Sequence, residues 1–142
     1  MLVSFLPATN NRNKLTSICQ TVYYHFQKKE PILIRVPSEE AAKYVDALLW
    51  KCPEDSFLPH IRSEVNVQET VVITCSQENL NNAAILLNLC PLVHPSPQQF
   101  AYIYDLYDET DADKSKASEA RKKHYMELEF PINFIVENQP MF

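Results

Sequence analysis

Glycine is absent from this sequence: none of the 142 residues is glycine. This excludes the glycine-built phosphate cradles, namely the G-x-G-x-x-G fingerprint and the P-loop, and also the G-x-S-x-G nucleophile elbow. Each of these motifs needs a backbone that approaches a ligand closely or takes a positive φ, which no other residue does at low cost. Nucleotide hydrolysis, phosphoryl transfer and dinucleotide redox chemistry are therefore poor candidates. Turns must come from ten prolines and from polar pairs such as Asn10-Asn11 and Asn81-Asn82.

Long apolar runs and clustered cysteines are also missing. No run of 18 apolar residues occurs, so we expect no membrane-spanning helix, and the opening segment Met1–Pro7 lacks the basic region of a signal peptide. The net charge of −5 argues against attraction of the whole molecule to nucleic acid. The cysteines stand singly, which predicts reduced, mostly packed thiols in a cytoplasmic protein. They are Cys19, Cys52, Cys75 and Cys90.

Hydrophobic residues make up 46% of the chain, which is enough for a single domain over residues 1–142 with its own core. Strands alternate with helices in the first half, which predicts an α/β fold with a mostly parallel sheet of about five strands and helices on its faces. A short connection before the fourth strand allows it to pair antiparallel. The predicted strands are Leu2–Leu6, Ile32–Val36, Thr70–Cys75, Ala83–Leu89 and Phe100–Tyr107. The predicted helices are Asn10–Lys29, a segment from the cap Ser38 to Pro53, and Ala112–Glu127, which begins at Thr110-x-x-Asp113.

Positive charges concentrate in the last predicted helix. Residues 63–113 contain no lysine or arginine, whereas five lie between 114 and 123. At about 100° per residue, Lys114, Ser118, Arg121 and Tyr125 fall within an arc of roughly 60°, with Lys122 at their flank. Such a face suits an anionic, partly apolar ligand, because arginine binds carboxylates bidentately and tyrosine supplies a flat apolar wall. An acidic peptide and a nucleic acid both meet this description, and an ordinary solvated face is the simplest alternative.

The loop from Trp50 to His60 is the second functional signal, within an irregular segment that we expect from Cys52 to Gln68. It holds the single tryptophan of the chain and, seven residues later, Phe57, among prolines. Exposed aromatic side chains on a rigid backbone are good anchors for a protein partner. The alternative is that Trp50 ends the apolar stripe of its helix and packs inward.

Catalytic and metal-binding sets are weak in this sequence. Cys52 with His60, or Cys90 with His94, could act as nucleophile and base, but no third residue orients the base. The same four residues match no common zinc spacing. We therefore predict no catalytic residue, no metal and no cofactor.

The stretch Leu48-Leu-Trp-Lys-Cys-Pro-Glu-Asp-Ser-Phe-Leu-Pro-His60 resembles the chi subunits of bacterial DNA polymerase III. That family carries a similar A-L-W-x-x-P-x-x-S-F-x-P-H stretch after its second helix. The order of elements is also similar over nearly the whole chain, from the opening strand to a basic C-terminal helix. The resemblance implies a Rossmann-like α/β fold without a nucleotide, and an accessory subunit of DNA replication with no catalysis of its own.

The same resemblance implies the partners. Family members join the clamp loader by binding the psi subunit, and in some bacteria the same surface holds an XPD-like helicase. They also bind the acidic C-terminal tail of the single-stranded DNA-binding protein, which ends in Pro-Phe. The aromatic residues that face psi match Trp50 and Phe57, beside which lies Pro59, and the best matches for the tail site are Lys122 and Tyr125. Taken with the helix-face argument, the expected tail-binding set is Leu106, Lys114, Ser118, Arg121, Lys122 and Tyr125.

Three hypotheses follow. A protein-binding adaptor with little direct DNA binding and no membrane contact is the first. A direct binder of single-stranded DNA, which stacks bases on tyrosines near Lys114–Lys123, is the second. A small hydrolase that uses Cys52 or Cys90 is the third. The chain departs from the family pattern after its basic helix, where the acidic Met126–Glu129 replaces basic residues, and in the acidic segment 108–113.

Overall fold

Seven strands and three helices make up the fold in the computed structural model, which describes residues 1–52 and 57–136. A short 3-10 turn at Pro97–Gln99 precedes the sixth strand. The helices are α1 (Asn11–Gln27), α2 (Glu39–Lys51) and α3 (Ala112–Glu127). The strands are β1 (Leu2–Ala8), β2 (Ile32–Arg35), β3 (Ile61–Arg62), β4 (Val71–Thr74), β5 (Ile85–Asn88), β6 (Tyr102–Asp108) and β7 (Ile132–Phe134).

The strands form one sheet in the order β3-β4-β2-β5-β6-β1-β7, and each strand pair in it is parallel. The predicted α/β fold with a parallel sheet is confirmed. The sheet has seven strands rather than about five, because the short β3 and β7 extend its two edges. The antiparallel pairing allowed for the fourth predicted strand, β5, is wrong. β4 and β5 flank β2 on opposite sides, so the chain between them crosses the end of β2 and forms no hairpin.

Polar side chains determine where the helices begin. Asn10 caps α1 and Ser38 caps α2, each accepting a main-chain N–H of the first turn. Asp111, not the predicted Thr110, caps α3 in the same way. Pro53, which we expected to end α2, lies outside the described residues.

Two other boundaries differ from the expected ones. β1 continues through Pro7, because β7 pairs with β1 only over Val3–Phe5 and a proline without an N–H is tolerated where one side of a strand is unpaired. β3 lies inside the segment expected to be an irregular loop. β7 follows α3, beyond the last predicted element, and pairs with β1, and the residues beyond Val136 lie outside the described part.

The absence of glycine leaves a trace in the backbone. Four described residues take left-handed φ values: Lys29 (58°), Phe57 (50°), Asn82 (52°) and Glu129 (62°). Lys29 and Glu129 directly follow the C-caps of α1 and α3, a position where helices commonly end in glycine. A side chain with a Cβ destabilises this conformation by about 1 kcal/mol.

The sheet has an apolar core on each face. Strand β2 shows the alternation, since Ile32 and Ile34 pack on one face and Leu33 on the other. α1 and α2 cover the first face, and α3 covers the second with the loops around Leu80 and Phe100. In the described ranges, none of the helices combines the length and apolar character needed to cross a membrane.

Candidate functional site

An aromatic surface lies at the C-terminal end of α2 and in the loop that follows. Trp50 is 60% exposed, Phe57 is 81% exposed, and Pro59 is exposed as well. We call these three residues the aromatic ledge. The alternative in which Trp50 packs inward is therefore wrong. Aromatic side chains held at a surface in this way are typical anchors of a protein interface.

Phe57 and Pro59 are exposed because a buried residue between them holds the loop against the protein core. Leu58 is fully buried in the core on the α1–α2 face, while Phe57 and Pro59 on either side of it are exposed. Phe57 has the left-handed φ of 50° described above. Such a strained backbone persists only where its surroundings hold it, so the burial of Leu58 determines how Phe57 is presented.

His60 supports the ledge from the side. Its ring centroid lies 4.4 Å from that of the Trp50 indole. Both ring nitrogens meet acceptors: Nδ1 lies 2.8 Å from the carbonyl oxygen of Leu58, and Nε2 lies 2.9 Å from Oδ1 of Asp46. The imidazole thereby joins α2, the loop and the tryptophan. Sequence reasoning missed this positioning role, because Asp46 lies 14 residues away.

The predicted cationic face of α3 is turned toward the sheet. Ser118 and Tyr125 are fully buried, and Arg121 is 7% exposed. The three residues do share one face of the helix, as their spacing predicts, but that face packs on the sheet. The expectation that they form an open wall for a ligand is therefore wrong.

A buried carboxylate explains why this face turns inward. Asp105 of β6 is fully buried, and its Oδ1 accepts a hydrogen bond from Nε of Arg121 at 2.9 Å. Its Oδ2 accepts from Oη of Tyr125 at 2.7 Å and from Nδ2 of Asn88 at 3.2 Å. Burial raises the pKa of Asp105, and the guanidinium and the two other donors oppose that rise. The charge of Arg121 is thus neutralised inside the protein.

A groove of about 630 Å³ lies between α1 and α2, at the carboxyl ends of β2, β5 and β6. Parallel α/β sheets usually bind ligands at this end. The cations of the groove already have acidic neighbours, since Lys14 Nζ lies 2.7 Å from Asp108 and Lys114 Nζ lies 3.9 Å from Asp111. Three residues of the predicted tail-binding set line this groove: Leu106, Lys114 and Arg121.

Lys122 lies apart from the others, at a different cavity. Its Nζ is 6.0 Å from the ring centroid of Tyr107 and 5.7 Å from that of Phe134. Oε1 of Glu119 lies 3.5 Å from the same Nζ and accepts a hydrogen bond from Oη of Tyr107. We call these four residues the Lys122 cluster. Lys122, Tyr107 and Phe134 line a cavity of about 440 Å³ between α3, β1 and β7.

The Lys122 cluster combines a cation with accessible aromatic surface. Phe134 is 47% exposed, and the lysine faces both rings at a distance where cation–π attraction operates. The hydrogen bond to Glu119 raises the pKa of Tyr107 to about 12 and lowers the pKa of Glu119. This arrangement can bind an acidic peptide: the ammonium group of Lys122 can pair with a peptide carboxylate, and the two rings can contact a neighbouring apolar side chain of the peptide.

The comparison with known families covers the ledge and the part of the Lys122 cluster that precedes Phe134. A family model described as the DNA polymerase III chi subunit, HolC, matches residues 2–133, which include the ledge and all of α3. The chain belongs to the chi-subunit family. A search of curated proteins finds no match. The resemblance at residues 48–60 is confirmed, and an accessory role in DNA replication follows from the family.

The cysteine and histidine pairs of this chi-family chain have other contacts. Nε2 of His94 lies 2.9 Å from the carbonyl oxygen of Gln77, and its Nδ1 accepts the main-chain N–H of Ser96 at 2.9 Å. Burial lowers the pKa of His94 and raises the pKa of Cys90. A raised thiol pKa disfavours the thiolate that a cysteine nucleophile needs.

A group of three candidate metal ligands meets in the part of the chi-family chain that the structure describes. One ligand atom each of Glu39, Glu64 and Cys75 lies within 4.8 Å of the others. The group contains none of the four residues weighed above as zinc ligands. Glu64 already accepts hydrogen bonds from the Thr74 hydroxyl and the Cys75 main-chain N–H, so the local hydrogen bonding explains its position.

Proposed function

We propose that this chi-family chain is a non-catalytic adaptor of the DNA polymerase III holoenzyme in the cytoplasm. The aromatic ledge binds the psi subunit of the clamp loader, or an XPD-like helicase where that is the partner. The Lys122 cluster binds the acidic C-terminal tail of the single-stranded DNA-binding protein. The observation that carries the proposal is the exposure of Trp50 and Phe57 at one end of α2.

The placement of the two surfaces supports this proposal. The ledge leads into β3, at one edge of the sheet, and Phe134 belongs to β7, at the other edge. Six strand-to-strand steps of about 4.8 Å put these edges about 29 Å apart. A partner on one surface therefore leaves the other open, which is what an adaptor requires.

The ledge is tested by truncating its anchors. Trp50→Ala and Phe57→Ala should each weaken binding of the psi subunit by about thirtyfold or more, because an aromatic anchor of an interface contributes about 2 kcal/mol or more. Calorimetry or a quantitative pull-down with purified psi measures the change. An XPD-like helicase replaces psi in the assay where the source organism has no psi.

Tyr44→Ala is the matched control for the ledge. Tyr44 is 59% exposed on the same helix, so its loss removes a similar aromatic surface outside the ledge. Equal weakening by Tyr44→Ala, or no weakening by Trp50→Ala, contradicts the assignment of the ledge.

The tail site differs from the one that the helix pattern predicts. Arg121, Ser118 and Tyr125 are buried, so the cation that can meet a tail carboxylate near the aromatic rings is Lys122. The rings of Tyr107 and Phe134 replace Tyr125 as the apolar wall for a terminal phenylalanine.

A peptide ending Asp-Asp-Ile-Pro-Phe tests this tail site. We expect it to bind the full chain in calorimetry at low salt, more weakly as salt rises, and more weakly to Lys122→Ala. Lys123→Ala is the control, because Lys123 is an exposed neighbour with the same charge. Absence of peptide binding at low salt contradicts the proposal that the Lys122 cluster binds the acidic tail. Tight, salt-sensitive binding of a labelled oligonucleotide in its place points to the DNA-binding alternative.

A further inference from the structure

In the Lys122 cluster, a carboxylate of the protein itself already occupies the position where a peptide carboxylate would bind. Oε1 of Glu119 accepts the Tyr107 hydroxyl and lies 3.5 Å from Nζ of Lys122. These are two groups on the cavity side of α3 that donate hydrogen bonds to a carboxylate. A peptide carboxylate that binds both the Tyr107 hydroxyl and the Lys122 ammonium group would have to displace this oxygen.

We infer that Glu119 is an internal competitor that sets how strongly the Lys122 cluster binds an acidic peptide. The inference rests on the proposed tail-binding function and adds a residue that determines its affinity. Glu119 holds the position that a tail carboxylate needs, through the same two donors.

The local charge supports this role. Among the residues that the structure describes, the charged groups lining the 440 Å³ cavity are Lys122 and Glu109, and Glu119 lies directly beside the lysine. One positive and two negative groups leave the site with a net charge of −1. An acidic tail therefore meets repulsion here unless Glu119 moves or loses its charge.

Glu119 can move because it is held only at the surface. Its side chain is 51% exposed and pairs with Lys122 across one turn of α3, which is a weak type of ion pair in water. A change of rotamer puts the carboxylate into solvent and frees Tyr107 and Lys122 to donate to a peptide. Glu119 is exposed, in contrast to Asp105 of β6, which is fully buried beneath the same helix.

The experiment compares two charge-matched variants of the full chain. Glu119→Gln removes the competing charge, and Glu127→Gln makes the same change of net charge elsewhere on α3. Both are titrated with the peptide ending Asp-Asp-Ile-Pro-Phe and with a neutral peptide ending Asn-Asn-Ile-Pro-Phe, which is acetylated at its N-terminus and amidated at its C-terminus. We expect Glu119→Gln to bind the acidic peptide about three- to tenfold more tightly, a gain typical of removing one exposed like charge. Glu127→Gln should bind like the unchanged chain.

A double-mutant cycle separates competition from a general charge effect. In the Lys122→Ala background, Glu119→Gln should lose most of its benefit, because the two side chains then no longer share an anion position. Any of three results overturns the inference. One is that Glu119→Gln still raises the affinity for the acidic peptide in the Lys122→Ala background, and another is that Glu127→Gln raises that affinity by the same factor. The third is an equal rise in affinity for the neutral peptide.

Failure of this inference is distinguishable from failure of the proposed function. If the unchanged chain binds the acidic peptide and Glu119→Gln binds it no better, Glu119 is not a competitor but the tail site stands. If neither binds the peptide at low salt, the tail site itself is wrong. A second variant, Glu119→Ala, repeats the test without an amide that could itself accept from Tyr107.

Discussion

Arg121→Met distinguishes a structural arginine from a binding one. The arginine lies on the helix face that the sequence predicts to meet an acidic tail, yet it is 7% exposed and donates to the fully buried Asp105 at 2.9 Å. Methionine preserves much of the side-chain volume but leaves the carboxylate without a counter-charge. The expected consequence is lost stability of the fold rather than a selective loss of peptide binding.

The magnitude follows from what remains around Asp105. Removing one partner of a buried ion pair destabilises a protein by about 3–5 kcal/mol. Tyr125, Asn88 and the main-chain N–H of Leu106 still donate to the carboxylate, so we expect a loss near the lower limit, about 3 kcal/mol. This is a large share of the 5–15 kcal/mol that typically stabilises a domain. The double variant Arg121→Met with Asp105→Asn should recover part of the loss, since no unpaired charge remains.

Urea unfolding measures these free energies, and its pH dependence adds a sign test. A carboxyl group with a raised pKa in the folded state binds a proton more readily there than in the unfolded chain. Lowering the pH through the raised pKa of Asp105 should therefore recover part of the stability lost in Arg121→Met. A loss below about 1 kcal/mol, or weaker peptide binding at unchanged stability, would refute the structural role of Arg121.

Three further predictions concern the ledge, the histidines and the backbone. His60→Ala should weaken psi binding about fivefold, because Trp50 loses the ring that packs against it. The fluorescence of Trp50, which is the single tryptophan of the chain, reports the change in its surroundings. Unchanged emission and unchanged affinity would contradict the supporting role of His60. Burial lowers the pKa of both His25 and His94, so the unfolded state binds more protons and stability should fall as the pH drops below about 6.5. Replacing either histidine with glutamine should flatten that dependence in urea unfolding, and a profile that stays equally steep in both variants argues against it. Glu129→Gly should raise the melting temperature, because glycine adopts the left-handed φ of 62° without strain. The free energy of unfolding at the midpoint should rise by up to about 1 kcal/mol. A lower melting temperature contradicts the presence of strain at this residue.

Much of the fold is predictable because its strands are short apolar runs between clear helix signals. Val71–Thr74 is entirely β-branched and buried, and residues 32–34 are apolar and buried on both faces, as a parallel sheet requires. The edge strands are not predictable in this way. Ile61–Arg62 has two exposed residues in a stretch rich in polar residues and prolines, so it carries no periodicity that a pattern could detect.

The exposure of the ledge could be anticipated, whereas the orientation of α3 could not. The buried face of α3 includes Ser118 and Arg121, so its inward side lacks an apolar stripe. The available signal is Asp105, a carboxylate in the middle of the apolar, aromatic run Tyr102–Tyr107. A buried acid of this kind needs a cation nearby, and the basic helix that follows supplies it.

The Lys122 cluster depends on tertiary structure alone. Tyr107 lies on β6, Glu119 and Lys122 lie on α3, and Phe134 lies on β7, so no local pattern links the four residues. Parallel pairing of β1 with both β6 and β7 brings Tyr107 and Phe134 to one side of the sheet, at 5.6 Å between ring centroids. Pairing of this kind depends on strand order, which a single sequence does not reveal.

Two neighbouring cations of α3 therefore have opposite roles. Arg121 and Lys122 are adjacent in sequence but about 100° apart around the helix, so one faces Asp105 inside the protein and the other faces the aromatic rings at the surface. Of the five basic residues between 114 and 123, Lys122 alone stands over the aromatic cavity, and Glu119 partly neutralises it. In the proposed function, binding of an acidic tail then depends on this one lysine and on the competing Glu119, and not on the total charge of the helix. For the adaptor that we propose, such a site gives contacts that form and break readily, while the aromatic ledge at the other edge of the sheet provides the anchors of the second attachment.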